Sequence, residues 1–174
     1  MASDIMIRTA GADDIQLIHE MAETVFRNTY AAILSPEQME YMMDWMYSHE
    51  NLRKQMAEGH TYFLASCGGR LVGYSSVQPD GMLDDGRPVF HLQKLYVMPD
   101  CQHSGVGTAL FNHVVSHVSE AAPCRIELNV NRGNPAVSFY ERIGMRKLRE
   151  GDFPIGSGFF MNDYIMGLDI LSKG

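Results

Sequence analysis

The chain has 174 residues, 45% of them hydrophobic and 20% charged, and a formal net charge of −7. That length suits one domain, residues 1–174, around a single sizeable core, and the acidic balance disfavours nucleic acid as a partner. No apolar run reaches the roughly 18 residues of a membrane-spanning helix and no signal-peptide pattern is present, so the expectation is a soluble cytoplasmic protein without membrane contact. The three cysteines, Cys67, Cys101 and Cys124, are odd in number and form no C-x-x-C, which argues against disulfides and structural zinc.

Residues 5–9 predict a first strand. Over residues 12–30, Ile15, Leu17, Ile18, Met21, Ala22, Val25 and Phe26 recur at helical spacing and predict an amphipathic helix. Ser35-Pro36-Glu37-Gln38 reads as a helix start, with Ser35 as N-cap, Pro36 at the first position and Gln38 placed for a capping box. The methionine-rich segment 39–47 reads as packing. A further short helix over 49–58 stops at Gly59.

Residues 62–66 and 70–78 flank Gly68-Gly69 and predict a hairpin, followed by a polar loop over 80–87. In the strand 89–97, Phe90 and Leu92 share one alternation phase and Leu95 and Val97 the other. One extra residue between the pairs would bring both to one face, so a bulge is expected there. The helix over 105–120 carries Val106, Leu110, Phe111, Val114, Val115 and Val118 on one arc and turns Asn112, Ser116 and Ser119 to water. A strand over 124–130 follows, then a helix with Asn134 as N-cap, Pro135 at its first position and Gly144 after its end. Residues 145–149 and 164–169 close the chain as an antiparallel pair. The expected class is α/β: a mixed, largely antiparallel central sheet with a bulged strand, flanked by helices.

The join between Val97 and Leu110 carries the chemistry. An apolar strand runs through Gln102-His103-Ser104-Gly105-Val106-Gly107-Thr108 into a helix. A helix start presents unpaired N–H groups and partial positive charge to an anion, and glycines let a bulky anion approach. The spacing is neither a P-loop nor a dinucleotide fingerprint, since Leu110 stands where the third glycine belongs. Gln102-x-x-Gly105-x-Gly107 resembles the acetyl-coenzyme-A loop of the GNAT family of N-acetyltransferases. Downstream, Asn131-Arg132-Gly133-Asn134-Pro135-Ala136 and Phe139-Tyr140 ahead of Gly144-Met145 resemble that family's second signature, in the family's order.

The resemblance implies a GNAT-type fold and acetyl-coenzyme A as donor substrate, attacked directly by a primary amine in a ternary complex. The backbone of Leu95, Tyr96 and Val97 would hold the acetyl-pantetheine arm, and Gln102 to Thr108 the pyrophosphate. Asn134 and Asn131 would hydrogen-bond the pantetheine, and Tyr140 would protonate the leaving thiolate. Two departures stand out. His103 and Ser104 replace the basic residues many relatives carry in the loop, and the strand carboxylate that often serves as base is missing. His91 is the nearest titratable group and, with an intrinsic pKa near neutrality, the candidate base; a water chain without a single base is the alternative.

Residues 26–30, 35–42 and 160–166 are similar to bacterial spermine/spermidine acetyltransferases of the PaiA type, which points to a polyamine. Glu37, Glu40, Asp152 and Asp163 are carboxylates available for such a cation, each also readable as a solvated surface charge. His113 and His117 lack the H-E-x-x-H context of a metal site, and they and the rest of the chain suggest no metal. Cys101 has no basic neighbour in sequence to activate it as a nucleophile. A catalytically idle acyl-coenzyme-A sensor or interaction module, and a peptide N-acetyltransferase, stay open as alternatives; so does a homodimer.

Overall fold

The computed structural model describes residues 4–173. Seven strands form one sheet in the order β1-β2-β3-β4-β5-β7-β6. The strands are β1 (Ile5–Thr9), β2 (Thr61–Cys67), β3 (Arg70–Met82), β4 (Pro88–Val97), β5 (Cys124–Asn131), β6 (Arg146–Gly156) and β7 (Phe159–Ile170). The helices are α1 (Ile15–Tyr30), α2 (Pro36–Tyr47), α3 (His49–Ala57), α4 (Val106–Val118) and α5 (Ala136–Arg142). The β4–β5 pair is parallel, whereas β1–β2, β2–β3, β5–β7 and β6–β7 are antiparallel. This is the mixed, largely antiparallel α/β class expected. No described helix is long and apolar enough to cross a membrane.

The chain divides into two compact units, one of Met1–Gln78 with Lys94–Val114 and one of Pro79–Gln93 with Val115–Gly174. In the first unit, α1 buries Ile15, Ile18, Ala22, Val25 and Phe26, and α2 and α3 add Met42, Met43, Tyr47 and Leu52. Ser35 caps α2 as predicted, its Oγ accepting the Gln38 N–H at 3.1 Å with Pro36 at the first turn. Ser48 repeats the device on α3, accepting the Asn51 N–H at 3.2 Å. On β3 the two faces differ: Tyr74 meets Tyr47 of α2 through a 2.7 Å hydroxyl bond, whereas a Cβ on Gly73 would stand 3.1 Å from Leu110 and 3.3 Å from Val106 of α4.

The second unit is built on the antiparallel β5–β7–β6 strands, with β7 lying between β5 and β6. Cys124, Ile126, Leu128 and Val130 of β5 are buried with Met166 and Ile170 of β7. Met145 is buried where α5 ends, and Gly144 takes φ +106°, the left-handed conformation that closes a helix.

Four expectations are corrected. Leu17 is 38% exposed, because it lies about 100° around α1 from Ile18 and outside the buried stripe. Ser119 is buried: the helix tightens into a 3-10 turn there and Ser119 Oγ donates to the Ser116 carbonyl at 2.8 Å. Strand β3 runs through residues 80–82 of the predicted loop, and β6 and β7 take in residues 150–156 and 159–163, left unassigned by the sequence pattern. On β4, burial falls on Val89 and then on Leu92 and Lys94, so the phase changes before Leu92 and leaves Leu95 and Val97 half-buried.

Candidate active site

Within the first unit, Leu95, Tyr96 and Val97 lead from β4 into the glycine loop. Tyr96 turns its ring toward Tyr30 and Tyr74, its hydroxyl 3.2 Å from that of Tyr30. Its carbonyl lies only 2.7 Å from where a Cβ on Gly73 would stand, so β3 needs a glycine at that position. A short 3-10 turn, Pro99–Cys101, follows Val97, and the Met98 N–H donates to the Val72 carbonyl at 2.8 Å. His103 and Gly105 then adopt φ +65° and +92°. Left-handed residues set between ordinary ones turn successive N–H groups to one side, the concavity that takes an anion.

Gln102, His103, Ser104, Gly105 and Thr108 are exposed and Gly107 is half-buried, while Val106 is buried as the first residue of α4. The Ala109 N–H closes the first turn of α4 on the Gly105 carbonyl at 3.0 Å. Ser104 Oγ donates to the Cys101 carbonyl and pins the turn. Arg70 grips Asp100 with both carboxylate oxygens within 3.0 Å, and its Nη1 reaches Cys101 Sγ at 3.6 Å. The cysteine therefore does have a basic neighbour, brought from 31 positions away. Burial and the Asp100 charge still hold the Cys101 thiol above its usual pKa, which opposes a nucleophilic thiolate.

Within the second unit, Asn131 and Asn134 lie where β5 leads toward α5, and Tyr140 lies on α5. Asn131 Oδ1 accepts the Gly133 N–H at 2.8 Å, and its carbonyl accepts the Asn134 N–H at 2.9 Å. Asn134 is buried, and its Oδ1 accepts the Ala136 N–H at 2.8 Å; α5 begins at Ala136, so Pro135 rather than Asn134 holds the cap position, and the expected start is shifted by one residue. Helix α5 carries Tyr140, 7% exposed, against Phe139 in an edge-to-face contact of 5.3 Å. His91 sits elsewhere on this unit, paired with Glu127 in the β4–β5 ladder and 3.7 Å from Asp80. Burial lowers its pKa, opposed by the charges of Asp80 and Glu127.

Two buried ionisable groups escaped the sequence reading as candidates of this kind. Lys94 is 4% exposed, and its Nζ donates to Gln55 Oε1 at 2.7 Å, to the Tyr62 hydroxyl and to the Met46 carbonyl at 3.4 Å. It also lies over the rings of Tyr47 and Tyr62, 4.7 and 5.0 Å from their centroids, and burial brings its pKa down to about 7. The weak signal was a lysine on a largely apolar strand, two residues from Leu92 and next to Leu95. Asp163 is 1% exposed rather than a surface charge. Of the other acceptor carboxylates, Glu40 is paired with Arg27 and Asp152 with Arg132, and Glu37 is exposed. His113 sets its ring edge-to-face against Phe63 at 4.6 Å, and His117 is exposed.

Residues 30–154 match the family profile described as "Acetyltransferase (GNAT) domain", a stretch that draws on both units. The chain belongs to the GNAT acetyltransferase family. It is accordingly an acyltransferase enzyme. Among curated relatives of this GNAT protein, a spermidine N(1)-acetyltransferase of Thermoplasma acidophilum is 25% identical over 163 residues, covering 90% of this chain and 95% of that one. An uncharacterised N-acetyltransferase of Methanocaldococcus jannaschii is 27% identical over 88 residues, covering 49% of this chain and 39% of that protein's length. Among solved structures, the PaiA N-acetyltransferase of Thermoplasma acidophilum, crystallised with coenzyme A, superposes with a TM-score of 0.76 at 23% identity, covering 95% of this chain and 99% of that one.

Proposed function

We propose that this GNAT protein transfers the acetyl group of acetyl-coenzyme A to a primary amine, and that the acceptor class is a polyamine. The observation that carries the reading is the exposed loop at the start of α4, where His103 and Gly105 take the left-handed φ values of an anion-binding turn beside a helix N-terminus. Gln102 to Thr108 bind the pyrophosphate, chiefly through those N–H groups. The polar backbone of Leu95, Tyr96 and Val97, and the amides of Asn131 and Asn134, bind the pantetheine arm. The polyamine acceptor rests on the likeness, along nearly the whole chain, to a spermidine N(1)-acetyltransferase.

Acyl transfer to an amine needs a neutral nucleophile, a stabilised oxyanion and a proton for the departing sulfur. The amine lone pair attacks the thioester carbonyl, the C–S bond breaks and the thiolate takes the Tyr140 phenol proton. A thiolate leaves more readily than an amide nitrogen, so this proton contributes less than it does in amide hydrolysis. Coenzyme-A release is measured against spermidine, spermine, amino acids, aminoglycosides and short peptides, with wild type beside Tyr140→Phe. Turnover on polyamines that drops in the variant is the expected result. Turnover confined to peptides overturns the polyamine acceptor, and acetyl-coenzyme-A binding without turnover overturns the enzyme in favour of a sensor.

A further inference from the structure

The proposed chemistry leaves one buried acid of the second unit unused. Asp163 Oδ2 accepts from Asn129 Nδ2 at 3.3 Å, whereas Oδ1 is buried with no hydrogen-bond partner among the described residues. A buried carboxyl oxygen without a donor is costly, and chains keep such groups where they have work to do. The groups around it leave it unneutralised. Arg132 sends Nη1 to the carbonyls of Gly151 and Asp163, at 3.2 and 3.5 Å, and commits Nη2 to Asp152 at 2.7 Å. On β6 the residue opposite is Gly151, with Glu150 and Asp152 on either side, and the Phe153 ring crowds the space a side chain at 151 would take. Burial raises the Asp163 pKa; the Asn129 bond and the Arg132 charge act against it.

Register decides where this acid stands. Asp163 pairs with Asn131 across the β5–β7 ladder, at the end of β5 where the Asn131 carbonyl holds the N–H of Asn134. His91 pairs instead with Glu127, four residues earlier on β5 and so about 13 Å along the strand. Asp163 therefore shares a level with the asparagines assigned to the donor's pantetheine arm, and His91 does not.

We propose that Asp163, not His91, is the proton acceptor for the acceptor ammonium, taking the proton on Oδ1 through a bridging water. The inference rests on the acetyltransferase reading above. An ammonium N–H bond breaks and its proton passes along the water to the Asp163 carboxylate, leaving the neutral amine and a carboxylic acid. The amine attacks, the C–S bond breaks and the sulfur takes the Tyr140 proton. The surplus proton left on the amide nitrogen when the intermediate collapses restores Tyr140, and Asp163 returns its proton to solvent. A carboxyl with a raised pKa in a dry setting suits this task better than an exposed one.

The test compares kcat and kcat/KM against pH for wild type, Asp163→Asn, Asp163→Glu and His91→Gln, with acetyl-coenzyme-A affinity measured calorimetrically on each. Asp163→Asn is expected to lower kcat about 10²- to 10³-fold and to abolish the acid limb of the profile, with donor affinity within about twofold of wild type. Asp163→Glu restores part of the rate with a shifted acid limb, and His91→Gln leaves the limb in place. An acid limb that survives in Asp163→Asn, or disappears in His91→Gln, overturns the assignment even if the rate falls. Wild type that binds acetyl-coenzyme A but acetylates no amine overturns the enzyme reading first, and this assignment with it.

Discussion

Lys94 and Asp163 are both ionisable, both nearly sealed from water, and differently provided for. Lys94 has three oxygen acceptors and two aromatic faces around its ammonium group. Among the described residues, Asp163 has one amide donor, and one of its oxygens has none. The contrast separates two uses of a buried charge. Where the fold supplies every partner, the group ties elements together, here α2, α3 and β2 to β4. Where a partner is withheld, stability is given up and reactivity is gained.

The largest stability effect should come from removing the tie. Lys94→Ala leaves a cavity and strips the Tyr62 hydroxyl oxygen of its donor, while Gln55 Oε1 keeps only the Tyr62 hydroxyl, at a cost of about 2–4 kcal/mol. Lys94→Met, which keeps the volume, should stay within about 1.5 kcal/mol of wild type in urea unfolding. Equal losses in both would break the view of Lys94 as a brace whose polar partners can be replaced by packing. In activity, Tyr140→Phe should lower kcat about 100-fold while leaving the unfolding midpoint nearly unchanged, the opposite signature to Lys94→Ala.

A smaller loss, about 1–3 kcal/mol, is expected for Gly73→Ala, whose methyl would meet the Tyr96 carbonyl at 2.7 Å. Because β4 and α4 both press on that point, acetyl-coenzyme-A affinity should fall with stability; an unchanged affinity would detach the loop from its support on β3. Smallest is Ser35→Ala, about 1 kcal/mol from the lost cap, with activity unaffected.

The pH dependence sharpens the same contrast, because the two groups act with opposite sign. Between about 7 and the ordinary 10.5, the unfolded chain holds a proton on Lys94 that the folded chain does not. Stability therefore rises with pH across that window, and the Lys94 contribution to the slope should vanish in Lys94→Met. For Asp163, raised above 3.8 by burial, the folded chain holds the extra proton. Stability falls as pH rises from the ordinary carboxylate pKa through the folded one, and above it Asp163→Asn should be more stable than wild type and less active. A destabilised Asp163→Asn at neutral pH would place Asp163 among the fold's ties, beside Lys94.

How much of this was legible follows the range of each interaction. Ser35 before Pro36 announced the start of α2, and Asn134 before Pro135 that of α5 to within one residue, because these side chains bond N–H groups two or three positions away. Gly68-Gly69 announced its hairpin for the same reason. Leu17 misled because it is apolar yet sits off the buried stripe. The length of β6 and β7 was hidden, since residues 150–162 mix charge, glycine and aromatic side chains without a clean alternation. The phase on β4 was misplaced because a lysine, not a hydrophobe, occupies the buried position at 94.

From its residues alone the chain determined its family, its class of sheet, the order of its elements and the loop that opens α4. These rest on backbone geometry and short-range bonds, which residue type dictates within a turn or two. The tertiary structure alone decided that Arg70 reaches Cys101, that Gly73 makes room for Tyr96, that Lys94 is wholly provided for and that Asp163 is not. Each depends on strands and helices far apart in sequence meeting in one register. Burial and partnering, which set what an ionisable group can do, exist only once that register is made.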